Sequence, residues 1–158
     1  MLGKKMILAG VAAASMLLAA CGGDDGPAEE TGATVPTAAG GGTSISVALG
    51  ETDATKMYMR LSKSSVSAGA ITFTITNEGV KEHEFEVFKT ATAAGDFAIG
   101  PDDKVVDPED AEELAEVEGI EGGQTETVTL DLEPGHYALI CNEEGHYGSG
   151  MFADFTVT

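Results

Sequence analysis

The chain has no tryptophan, only two cysteines and three histidines in 158 residues, and its eight lysines and arginines face 27 aspartates and glutamates. A formal net charge of −19 excludes a nucleic-acid partner, because binding phosphate draws on Lys and Arg. Such an acid excess keeps a chain soluble and can steer a basic protein toward it. A long hydrophobic run is missing too. The uncharged stretch from Met6 to Ala20 falls short of the roughly 20 residues that a membrane-spanning helix needs, and Lys4 and Lys5 precede it. A basic start followed by a short apolar core is expected for a signal peptide over residues 1–20.

With so little cysteine, each thiol needs its own explanation. Leu18-Ala19-Ala20-Cys21 resembles the bacterial lipobox, which implies cleavage before Cys21 and lipidation of its thiol. A multiply acylated terminus anchors a protein stably, so the expected location is a membrane surface outside the cytoplasm, facing the periplasm or on the cell surface. Residues 21–43, rich in Gly, Ala, Thr and acid and nearly free of large apolar side chains, cannot offset their own ordering entropy. They are expected to form a disordered tether with a span of about 25 Å. Cys141 is then the one thiol left, and no disulfide can form within the mature chain.

From Ser44 onward the hydrophobic pattern has a period of two. Ile45, Val47 and Leu49 alternate with small or polar residues, as do Met57, Met59 and Leu61, then Ile71, Phe73 and Ile75. His83, Phe85 and Val87 share one parity and Glu84 and Glu86 the other. Val128, Leu130 and Leu132 precede a Glu133-Pro134-Gly135 turn, after which Tyr137, Leu139 and Cys141 share a face; Ala153, Phe155 and Val157 form a last strand. Short strands joined by Gly and Pro turns predict an all-β Greek-key sandwich or barrel over residues 44–158. One inserted helix is expected from Pro108 to Glu118. Asp107 stands at its cap, Pro108 at its first turn, Ala111, Leu114, Ala115 and Val117 at helical spacing, and Gly119 at its stop. This insert, residues 101–121, is dense in acids, with Lys104 its only base, and is expected to present a solvated negative face.

The residues with chemistry to offer lie around the final hairpin. Pro134-Gly135-His136-Tyr137 leads into Cys141, and His146 and Met151 follow at intervals of five. A thiol, an imidazole and a thioether so close together are soft or borderline metal ligands. Cys with two His and a weak axial Met is the donor set of a blue-copper electron-transfer site. The second imidazole is His83 or His136; strand parity turns His136 outward and His83 inward, favouring His83. The axial group is Met151, with Met57, Met59 or a backbone oxygen as alternatives. Tyr137 and Phe152 are expected to pack, and Tyr147 and Phe152 could border a docking patch around His146.

Asn77-Glu-Gly-Val-Lys-Glu-His83-Glu-Phe85 and Pro134-Gly-x-Tyr-x-x-x-Cys141-x4-His146-x4-Met151 are similar to the ligand segments of cupredoxins, the plastocyanin and azurin family. The Cys-to-His spacing is closer to auracyanin-like proteins than to plastocyanins. The resemblance implies one copper cycling between Cu(II) and Cu(I) on His83, Cys141, His146 and Met151. It implies an electron carrier and not an enzyme, exchanging single electrons with redox proteins such as a cytochrome c, an oxidase or a reductase. A monomer is expected. One departure is Glu84, where many relatives carry Asn; a carboxylate does not supply the amide bonds that brace the two ligand loops, although its backbone N–H can still donate to the Cys141 sulfur. An extracytoplasmic copper chaperone or storage protein is the alternative, but the tether has none of the Met and His clusters such a protein would present on flexible segments.

Overall fold

The computed structural model describes residues 42–158; the expected signal peptide, lipidated Cys21 and nearly all of the tether lie outside the described residues. Two sheets face each other. The first contains β1 (Thr43–Glu51), β2 (Met57–Leu61), β4 (Gly69–Asn77) and β9 (Thr125–Leu132), in the order β2-β1-β4-β9. The second contains β3 (Ser65–Val66), β5 (His83–Lys89), β8 (Glu112–Ile120), β10 (Gly135–Ile140) and β11 (Phe152–Val157), in the order β3-β11-β10-β5-β8. A small hairpin, β6 (Ala98–Ile99) with β7 (Val105–Val106), stands apart from both. The β1–β4 and β3–β11 pairings are parallel and the others antiparallel, so the sandwich is mixed. Among the described residues the only helical turn is a short 3₁₀ segment, Tyr147–Ser149, and no helix is long and apolar enough to cross a membrane.

The alternating residues meet between the sheets as their period requires. Ile45, Leu49, Ile71, Phe73, Ile75, Phe85, Val87, Leu139 and Phe155 are fully buried in one core, with Phe73 packed against both Phe85 and Phe155 at 5.4 Å between ring centroids. Thr72 and Thr76 on the outer face of β4 pair with Thr129 and Thr125 across β9 at 2.8 and 3.0 Å. Tyr137, at the start of β10, donates its hydroxyl to the Glu133 carbonyl at 2.7 Å, which pins the turn that carries the chain from the first sheet to the second.

The expected helix from Pro108 to Glu118 is not present; most of that stretch is β8, an edge strand. Two irregularities explain the misreading. Between the pairs Phe85↔Val117 and His83↔Ile120, β8 carries an additional residue, as it does between Val87↔Ala115 and Phe88↔Glu113. Each bulge resets the strand's parity. Leu114, Ala115, Val117 and Ile120 therefore all reach the core at intervals that imitate a helical stripe. Gly119 does adopt a left-handed conformation, φ +66°, but inside a bulge and not at a helix end. Asp107 therefore caps no helix, and Asp110 serves a loop contact instead. Its carboxylate receives bonds from Thr90 Oγ1, the Ala91 N–H and Thr92 Oγ1 at 2.8–3.0 Å.

The outer face of the second sheet is also covered. Phe88, Ala138 and Ile140, of outward parity, form a second core with Ala94, Phe97 and Tyr147, lined in part by Val105 and Ala111. The segment between β5 and β8 thus folds back over its own sheet. Glu84 and Glu86, of the opposite parity to His83, are buried as a result, at 7% and 5% exposure. Burial foremost, then the carboxylates of Glu84, Glu116, Glu113 and Asp107, push the Glu86 carboxyl up to about 8. Asn77, fully buried at the end of β4, ties the sandwich together near the start of β5. Its amide donates to the carbonyls of Lys81 and Ile120 at 2.6 and 2.7 Å and its oxygen accepts from the Gly79 N–H at 2.8 Å.

Two stability measurements follow. Asn77→Ala strands two carbonyls and an N–H and is expected to cost about 2–4 kcal/mol, read as a lowered urea midpoint. Glu86 binds its proton more tightly folded than unfolded, so its contribution weakens as pH rises from about 4.5 through 8. The melting temperature is therefore expected to be higher at pH 6 than at pH 8.5. Glu86→Gln, by leaving a neutral side chain there, should raise it at pH 8.5 and flatten that difference.

Candidate metal centre

Antiparallel pairing of β5 with β10, with Ile140 opposite Glu86, brings the first residue of β5 and the residue that follows β10 to the same end of the sheet. His83 continues the inward parity of Phe85 and Val87, and Cys141 that of Tyr137 and Leu139. Past Cys141 the chain turns through Gly145, φ +77°, into the 3₁₀ turn led by His146, and leaves it through Gly150, φ +105°. Both conformations are ones that glycine adopts without strain. The Cys141 N–H donates to the Met151 carbonyl at 3.0 Å and the Met151 N–H to the His146 carbonyl at 3.3 Å, so the three residues are held in one closed loop.

The side chains converge. His83 Nδ1 and His146 Nδ1 are 3.1 Å apart, and the Cys141 sulfur lies 3.5 Å from His146 Nδ1 and 4.0 Å from His83 Nδ1. His83, Cys141 and Met151 are fully buried and His146 nearly so. Metal–imidazole bonds of about 2.0–2.1 Å would set two nitrogens of a trigonal site roughly 3.5 Å apart, so the triangle has the dimensions of a single first-row ion. The donors suit such an ion chemically as well as in size. Burial pushes the Cys141 thiol up to about 12 against the opposing pull of the Glu84 N–H. It pushes both imidazoles below their ordinary range, His83 further through its neighbour His146, and His146 further through Lys81. A cation bound there would take the place of the thiol proton.

The surroundings hold this triangle from several sides. The Glu84 N–H donates to the Cys141 sulfur at 3.3 Å, as the sequence allows. Burial foremost, then the neighbouring Glu143 in the loop between Cys141 and His146, raises the Glu84 carboxyl to about 7. On the outside, Asn142 Oδ1 accepts the Val105 N–H at 2.7 Å, and the Gly145 N–H donates to the Asp103 carbonyl at 3.0 Å. Tyr147 is buried and belongs to this bracing and not to an exposed patch: its hydroxyl donates to the Ala94 carbonyl at 2.8 Å and accepts the Phe97 N–H at 2.9 Å. Phe152 packs at 5.2 Å from the Tyr147 ring and stays partly exposed.

His136 stands away from the triangle, with its nitrogens on the Thr90 carbonyl and the Asp154 carboxylate at 2.8 and 2.9 Å. All four expected ligands belong to strands of the second sheet or to the loop between two of them, so they do not themselves join the two sheets. The first sheet reaches the site through Asn77 and through Glu51, at the end of β1, whose carboxylate accepts the N–H groups of Val80 and Lys81 at 3.1 and 3.0 Å. Burial pushes the Glu51 carboxyl up, but the N–H groups of Lys81 and Val80 outweigh it and hold the carboxyl below its usual range. No local pattern in the sequence marks Glu51, because its partners lie about thirty residues away.

Several known structures share this architecture. Auracyanin from Roseiflexus castenholzii is 23% identical, over 73% of this chain and 97% of its own, with a TM-score of 0.51. Auracyanin A from Chloroflexus aurantiacus, a blue copper protein, is 23% identical over 75% of this chain and 100% of its own, with a TM-score of 0.50. Rusticyanin from Thiobacillus ferrooxidans is 18% identical over 74% of this chain and 79% of its own, with a TM-score of 0.51. No curated protein sequence matches significantly. The Sulfocyanin (SoxE) domain matches residues 49–158, most of the chain and all four expected ligands, and the protein belongs to that family of cupredoxin fold.

Proposed function

We propose that the protein is a mononuclear type 1 copper electron carrier, held at a membrane outside the cytoplasm by lipid on Cys21. The observation that carries this is the buried triangle of His83 Nδ1, His146 Nδ1 and Cys141 Sγ with edges of 3.1, 3.5 and 4.0 Å. His83, Cys141 and His146 would hold the ion, with the Met151 thioether as a weaker donor. Copper bound there supplies a one-electron Cu(II)/Cu(I) couple.

The remaining chemistry belongs to the protein. Burial excludes water from three of the four side chains completely, while His146 at 8% exposure is the one nearest solvent and the natural exit for an electron. The Glu84 N–H draws charge from the Cys141 sulfur and so favours the reduced state. Bonds from Asp103, Val105, Ala94 and Phe97 to the ligand loop oppose its rearrangement when the charge changes, which keeps transfer fast. The partner expected for so acidic a chain is a basic redox protein. The leader and Cys21 support the anchored, extracytoplasmic location. A chaperone or storage role would call for ligands that an apo-partner could reach, and full burial of His83, Cys141 and Met151 counts against it.

The soluble domain loaded with Cu(II) is expected to be intensely blue, and Cys141→Ser to be colourless with copper still measurable or lost; a colourless wild-type complex would defeat the proposal. Met151→Leu should keep the colour and raise the reduction potential, since a thioether donor to Cu(II) is withdrawn. Voltammetry that finds no shift would remove Met151 from the ligand set.

A further inference from the structure

We propose that Glu51 is a positioning residue for the metal centre: reaching over from the opposite sheet, its carboxylate receives the outer N–H of His83 and holds that ring with Nδ1 turned to the ion. This rests on the copper reading above, and it concerns a residue outside the four ligands.

His83 Nδ1 faces Cys141 and His146, so the ring's proton belongs on Nε2. That nitrogen is buried and makes no hydrogen bond, the one such side-chain atom among the described residues. The nearest acceptor is Glu51 Oε1 at 3.3 Å, within bonding reach and short only of alignment. A buried N–H is costly to leave unpaired, and a ligating histidine usually gives its second N–H to a carboxylate or carbonyl, which fixes the ring's tautomer and orientation. Glu51 is built for that place. Its side chain is 14% exposed, and its two oxygens already anchor the N–H groups of Val80 and Lys81, the residues that lead into β5. Space for it exists because residue 79 is glycine: a Cβ on Gly79 would collide with both carboxylate oxygens. One side chain at the end of β1 thus sets the approach of the loop and the direction of the imidazole together. Its negative charge beside the ring also favours the more highly charged oxidation state of the ion.

The test uses three variants of the tethered-domain protein. Glu51→Gln keeps the size and one acceptor oxygen but removes the charge, Glu51→Ala removes both, and Gly79→Ala displaces the carboxylate while leaving it charged. With copper, Glu51→Gln should keep the blue band and shift the Cu(I)/Cu(II) ratio about tenfold toward Cu(I), 59 mV for a one-electron couple. Without copper, ¹⁵N NMR of the wild type should show His83 protonated on Nε2 with slow solvent exchange. Glu51→Ala and Gly79→Ala should each speed that exchange about tenfold or more. If Glu51→Ala fails to fold, Gly79→Ala carries the exchange measurement and Glu51→Gln the potential. A wild-type potential in Glu51→Gln, or wild-type exchange in the alanine variants, overturns the assignment. The imidazole readout needs no metal, so a failure of the copper proposal, seen as a colourless wild-type complex, is distinguishable from a failure of this one.

Discussion

The register between β5 and β10 is the constraint on which the site depends. With Ile140 opposite Glu86, the antiparallel ladder delivers His83 and Cys141 to the same end of the same sheet, both on the inner face. A slip of β5 by one residue against β10 would turn His83 outward and exchange Phe85 and Val87 for Glu84 and Glu86 in the core. The large cost of that exchange locks the register. The position of two donor atoms is therefore secured by the burial of apolar residues that have no part in the chemistry.

The same ladder explains why the donors can be kept dry. β10 is apolar on both faces from Tyr137 to Ile140, and the segment between β5 and β8 lies across the outer one. A thiol and two imidazoles in such a place stay uncharged, because the interior penalises each charged form. In a chain this acidic, a group of neutral donors is poised to accept a cation, whose arrival removes a penalty that the thiolate would otherwise face alone.

Much of this was legible in the residue pattern, and the reasons for the failures are physical. Alternation located the strands that carry His83 and Cys141, and parity separated His83 from His136, since a period of two leaves no doubt about which face a residue takes. The helix expected at Pro108–Glu118 failed because two bulges in β8 moved Leu114, Ala115, Val117 and Ile120 onto helical intervals. The burial of Glu84 and Glu86 left no sign in their own strand, because alternation reports one face of a strand and is silent on what later folds over the other. The continuous run Tyr137-Ala-Leu-Ile-Cys141 was the available sign that both faces would be covered. Asn77 and Glu51 act through partners distant in the chain, and contacts of that kind leave no local periodicity.

The bulged, acidic β8 has a consequence for how the molecule behaves among its own kind. It is an edge strand of the larger sheet, with an unpaired row of backbone groups that could recruit a strand from another copy. Glu112, Glu113, Glu116 and Glu118 are exposed along it, and its irregular backbone interrupts any straight ladder. Like charges and a broken hydrogen-bond spacing make edge-to-edge addition unfavourable, so β8 guards the domain against aggregation into extended sheets.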